Sequence, residues 1–177
     1  MKATGVVRRI DELGRVVIPK EIRKTLRIKE GENLEIFTDS NDQIILKKFS
    51  FINKIEDFAQ KFTDSIYSFT KKNIIITNTD EVVAASGPLK KSYINKPISK
   101  SLEIFMNRRE ELLEKYKKSI EIIDGNEIEA TYVVSSIISN GDVVGLVLLF
   151  STDDIVDESD EKIIKIATSF LSKHLED

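Results

Sequence analysis

Residues 11–26 read DELGRVVIPKEIRKTL, a unit that opens as a strand, closes as a helix and carries a proline at the join. The turn residues 11–14 precede the β-branched run Val16, Val17 and Ile18, and Pro19 suits the first helical position, where its missing N–H costs nothing. Ile18, Ile22 and Leu26 then recur at i, i+4 and i+8, which predicts a helix of about two turns with a narrow apolar stripe. Lys20, Arg23, Lys24 and Arg27 fall off that stripe. Outward from this unit, ATGVVRRI before it, LEIF after Gly31 and QIILKK after the turn DSND complete four strand signals and one helix within residues 1–50.

So small a set cannot bury a core alone. Domains of this size ordinarily need disulfides, a metal or a partner chain. The chain has no cysteine and a single histidine, His174, so a second copy is what remains. The expected solution is a homodimer whose hairpins interleave into one shared sheet, each chain completing the other's core.

The charges have a use of their own. The whole chain of 177 residues carries a formal charge of −3, but residues 1–50 hold 11 basic against 8 acidic residues, and the remainder 16 against 22. A basic head on an acidic body is suited to a polyanion, because clustered Lys and Arg attract phosphate through a sequence-independent field. Arginine adds a planar fork that matches phosphate oxygens and guanine edges. A two-fold dimer would double that set, as two-fold-related half-sites on duplex DNA require.

The segment TGVVRRIDELGRVVIPKEIRKTLRIKEGENLEIF resembles the swapped-hairpin DNA-binding domain of the AbrB family of bacterial transition-state regulators. The resemblance covers residues 1–50 and implies a swapped-hairpin β-barrel dimer in which Arg8, Arg15 and Arg23 contact DNA, joined by Arg9 and Lys24. At Lys24 close relatives often carry arginine, so the bidentate geometry is lost there while the charge is kept. Asp11 and Glu12 either orient these arginines through ion pairs or serve as turn residues.

Phe51, Ile55, Phe58, Phe62, Ile66 and Phe69 recur every three or four residues. They predict a helix over about 52–71, lying on the following domain's sheet or pairing with its twin across the dimer axis. Residues 72–177 read as α+β. NIIIT and EVVAAS are buried-type strands, GPLKKSYINKPI is loop-like, and SKSLEIFMNRREELLEKY is one long helix or two broken near Asn107. ATYVVSSIIS and VVGLVLLF form a hairpin through NGD, residues 140–142. The closing helix has Asp157 as its cap and Ile163, Ile166, Ala167, Phe170 and Leu171 facing inward.

This order resembles GAF-type sensor domains, an antiparallel sheet flanked by helices, and implies a cavity whose candidate ligand-binding groups are Ser86, Tyr93 and Ser135. GAF-type sulfoxide reductases and bilin photoreceptors need cysteine, so both are excluded. The two modules in one chain resemble AbrB-type regulators of endospore-forming bacteria. That implies activation and repression of forespore genes and a dimer through the head that joins into tetramers, while the GAF-like unit either is structural and takes part in protein contacts or binds an unidentified small-molecule effector.

Catalysis is not expected. The adjacent acids Glu110–Glu111 and Asp153–Asp154 point apart, SGPLKKS lacks the Walker spacing, and His174 suits the cationic end of a helix. Neither a metal nor another cofactor is implied. No apolar run nears the ~20 residues that span a bilayer, so a cytoplasmic protein with no membrane partner is expected, and the regulator resemblance implies a nucleoid-associated one. Two other readings use the same head: an autorepressing antitoxin, and a ligand-binding protein that meets some other polyanion.

Overall fold

The computed structural model describes residues 5–28, 30–49 and 56–175. The chain divides into two compact units, Met1–Phe49 and Ser50–Asp177.

In the first unit, helix α1 (Lys20–Thr25) follows Pro19, and strands β1 (Leu34–Thr38) and β2 (Ile44–Lys48) pair antiparallel with Ile36 opposite Leu46. Helix α1 ends on Arg27 at φ 53°. The amides of Ile28 and Arg27 return to the carbonyls of Arg23 and Lys24, which satisfies the last turn. The two strands expected on either side of the 11–14 turn have no ladder partner among the described residues. None of the described side chains of this unit is buried. Val7 is 86% exposed, Leu13 74%, Val17 72% and Ile44 70%. A unit with so many apolar groups in water and none buried among its described residues has no core of its own there.

The second unit is built on a five-stranded antiparallel sheet in the order β4-β3-β7-β6-β5. Its strands are β3 (Asn73–Thr77), β4 (Val82–Ser86), β5 (Glu111–Ile123), β6 (Asn126–Ser139) and β7 (Asp142–Ser151). Helices α2 (Glu56–Thr70) and α5 (Glu158–His174) cover one face, while α3 (Lys90–Tyr93) and α4 (Lys100–Arg108) cover the other. Side chains alternate between faces along a strand. Ile74 and Ile76 therefore meet Ala59, Ile66, Ile164 and Leu171, whereas Ile75 meets Tyr93, Leu102 and Phe150. With both faces covered, the strands read as unbroken apolar runs.

Local signals in this unit behave as read. Asn140 and Gly141 sit at φ 50° and 84° in the two-residue turn between β6 and β7, the pair of positive angles that matches strand twist. Asp157 Oδ1 accepts the amides of Ser159 and Asp160 at 2.8 and 3.2 Å, and Asp160 Oδ2 accepts the Asp157 amide at 3.0 Å, a reciprocal cap. Helix α2 packs on β3 and β4. Its Gln60 accepts from the Ala85 amide at 3.3 Å and donates to the Ala85 carbonyl at 3.0 Å, occupying backbone groups on the open side of β4.

Three readings are corrected. The segment 99–116, expected as one long helix or two broken near Asn107, is helical only as far as Arg108, where Arg109 turns to φ 54° and no second helix follows. The residues after it form β5, with Leu112 opposite Val134 and Leu113 opposite Val133. Leu, Glu and Lys favour a helix in isolation, and pairing with β6 overrides that preference. The segment expected as loop-like contains the short helix α3. On α5 the inward face is Ile164, Ala167, Thr168 and Leu171, with Ile163 partly covered, while Ile166 and Phe170 remain 69% and 47% exposed.

Candidate nucleic-acid interface

The candidate DNA-contacting residues of the head sit on two features, the 11–14 turn with its flanking arms and helix α1. The turn is closed by the Gly14 amide donating to the Asp11 carbonyl at 3.0 Å and the Asp11 amide donating to the Arg15 carbonyl at 3.1 Å. Gly14 at φ 74° supplies the left-handed step that the turn needs. Asp11 then works twice. Its Oδ1 accepts the amides of Leu13 and Arg15 at 3.0 and 2.8 Å, and its Oδ2 accepts Arg15 Nε at 2.7 Å. The Arg15 amide, followed by its guanidinium, holds the Asp11 carboxyl below the usual carboxylate range, so the aspartate stays ionised at neutral pH.

Arg8, Arg9 and Arg15 lie on the arms of this turn and are exposed, as is Lys24 on α1. Arg8 Nη1 donates to the Val7 carbonyl at 3.1 Å. Arg23 is half-buried, and its Nε is shielded from water with no acceptor among the described residues. Leaving such a shielded donor without an acceptor is costly.

The three candidate ligand groups of the second unit do not converge. Ser86 Oγ donates to Asp64 Oδ1 at 2.5 Å and lies 2.9 Å from Thr63 Oγ1 beneath α2. Ser135 Oγ meets Thr168 Oγ1 of α5 at 3.1 Å. Tyr93 lies across the sheet, its ring edge-on to Phe150 with centroids 5.7 Å apart and its hydroxyl donating to Asn126 Oδ1 at 3.4 Å. Burial holds the Tyr93 phenol above its ordinary pKa. A cleft of about 310 Å³ opens instead beside β5, lined by Ser101, Phe105, Ser119, Glu121, Glu127 and Tyr132 among others, and none of the three reaches it. Glu121 and Glu127 are direct cross-strand partners, a proximity legible only once residues 111–123 are known to be a strand. Among the described residues no group of three or more His, Asp or Glu side chains is arranged to hold a metal ion.

The model described as antidote-toxin recognition MazE, bacterial antitoxin, matches residues 7–50. The model described as stage V sporulation protein T C-terminal, transcription factor, matches residues 54–176. Stage V sporulation protein T of Bacillus subtilis (strain 168) is 46% identical over 177 residues, 99% of each chain. The transition state regulatory protein AbrB of the same organism is 61% identical over 49 residues, 28% of this chain and 50% of that protein. In fold alone, the second unit is similar to the GAF domain of an Acinetobacter phosphoenolpyruvate-protein phosphotransferase, with a TM-score of 0.56 at 14% identity over 73% of this chain and 84% of that one. One architecture therefore runs the whole length, an AbrB-type head followed by a GAF-like unit, and the chain belongs to the stage V sporulation protein T family of transcription factors.

Proposed function

We propose that the chain binds double-stranded DNA through a dimer of its first unit and regulates sporulation genes, activating some and repressing others in the forespore. The observation that carries this reading is the state of the head: its apolar side chains lie uncovered while Arg8, Arg9, Arg15 and Lys24 are exposed around them. A second copy closes the core, and the doubled basic set then faces the duplex. The 61% identity of this segment to a transition state regulator supports the same assignment. Ile166 and Phe170 on α5 and Phe69 on α2 leave a second apolar surface open on the GAF-like unit, which supports the joining of dimers into tetramers. A small-molecule effector of that unit, and a nucleoid location in the cytoplasm, belong to the same reading.

The antitoxin reading draws on the match of residues 7–50 to an antitoxin model. Against it stands the second unit, a five-stranded sheet with helices on both faces rather than a short tail that wraps a toxin.

A gel shift with the full chain tests the proposal. Wild-type protein retards duplex DNA, and the triple variant Arg8→Ala, Arg15→Ala, Arg23→Ala does so far less at equal concentration. Equal retardation by both would overturn the DNA-binding assignment. Rescue of growth from a toxin encoded beside the gene would favour the antitoxin instead.

A further inference from the structure

An acidic residue at the tip of a basic surface is unexpected where a polyanion docks, since charge alone would favour its removal. Asp11 occupies such a place, and its bonding explains why it is useful there. Oδ1 is spent on the turn, accepting the Leu13 and Arg15 amides, while Oδ2 takes only the Nε–H of Arg15 at 2.7 Å. That contact engages the guanidinium by its inner nitrogen. Among the described residues both Nη groups are left without an acceptor, and the Arg15 side chain is 71% exposed. Such a fork has two parallel donors to offer to a guanine edge or a phosphate.

We infer that Asp11 is a positioning residue for DNA recognition: it holds Arg15 by Nε so that the Nη pair is presented, already oriented, to the duplex. This rests on the DNA-binding reading of the head. The physical gain is entropic. A free arginine must give up its rotamers when it binds, whereas one braced by a carboxylate has surrendered most of them before DNA arrives. The carboxylate also repels phosphate that approaches off-register, so the same group that aids the correct complex weakens nonspecific ones.

The test uses the full chain and two probes: duplexes that the wild-type chain enriches from a random-sequence pool, and the unselected pool itself. Asp11→Asn keeps an oxygen for the two turn amides and removes the anionic acceptor of Nε. The expected result is affinity for the enriched duplexes about three- to tenfold lower, with affinity for the unselected pool unchanged or higher. In an Arg15→Ala background, Asp11→Asn costs nothing further. A role confined to turn stability would not produce this opposed pair of effects.

A measurement on unmutated protein stands beside it. The Arg15 Nε–H resonance in a nitrogen-15 spectrum should exchange with water more slowly than that of an unpaired arginine. Three results would overturn the inference: Asp11→Asn binding the enriched duplexes as tightly as wild type, the same penalty persisting without Arg15, or an Arg15 Nε–H that exchanges freely. A wild-type chain that enriches no duplex at all would instead overturn the DNA-binding reading itself.

Discussion

Replacing Leu26 with aspartate tests whether the first unit exists only as a dimer. Leu26 caps α1 and is 55% exposed in the single chain, on the same stripe as Ile18 and Ile22. Six other side chains of the unit, Val7, Ile10, Leu13, Val17, Ile36 and Ile44, are each at least 67% exposed. Covering each contributes about 1–2 kcal/mol, so a partner chain supplies about 6–12 kcal/mol per protomer. That is the whole stability of an ordinary small domain, which makes folding and association one event. Leu26→Asp forfeits about 1 kcal/mol of burial and asks the seam to hold a carboxylate at a cost of about 2 kcal/mol or more. Two copies per dimer bring the loss to about 6 kcal/mol, or about four powers of ten in the dissociation constant. Amide hydrogen exchange on the full chain reads the outcome by segment. In the variant at micromolar concentration, the amides of β1 and β2 lose protection while those of β3 and β7 keep it. Undiminished protection of β1 and β2 in the variant would refute the reasoning.

Other expectations follow from the same geometry. If each chain makes about three to four phosphate contacts, log affinity for DNA falls against log salt with a slope of about −5 to −7, and Arg15→Ala flattens it by about 2 because each dimer loses two contacts; a fluorescence titration at several ionic strengths that gave parallel slopes would remove Arg15 from the phosphate set. In the second unit, Lys72 Nζ lies 2.5 Å from Asp160 Oδ2, with side chains only 11% and 6% exposed. Lys72→Met leaves that carboxylate with the Asp157 amide alone and should cost about 3 kcal/mol in urea unfolding, most of it regained when Asp160 is also made apolar; equal losses in the single and double variants would count against a charge-desolvation origin. The amides of Asp160 and then Ser159 hold the Asp157 carboxyl below its ordinary pKa. Its contribution is therefore complete above the unfolded carboxylate range and disappears as pH falls through the lower folded value. The thermal advantage of wild type over Asp157→Asn should be largest near pH 7 and shrink below about pH 4, and an advantage that grew on acidification would contradict the capping assignment.

Features bound by contacts within a few residues could be read from the chain alone. The 11–14 turn, the Asn140-Gly141 hairpin and the Asp157 cap each depend on a backbone angle or a side chain reaching its own neighbouring amides. That the first 50 residues would lack a core of their own followed from size and from the absence of cysteine. Tertiary structure decided the rest. Residues 111–116 carry helix-favouring side chains and become a strand only because β6 lies beside them. The inward face of α5 is set by where β6 and β7 receive it, which places Ile164 and Thr168 in the core and leaves Ile166 outside. Ser86 and Ser135, which the GAF-type resemblance grouped with Tyr93 as candidate cavity groups, are instead held by α2 and α5 on the face opposite that tyrosine. The Asp11 carboxylate was legible as a neighbour of Arg15, but which of its oxygens holds the turn and which the guanidinium depends on coordinates. Local rules reach a few residues along the chain, whereas strand partners and helix faces are chosen by groups tens of residues away, whose packing outweighs the preferences of any short segment.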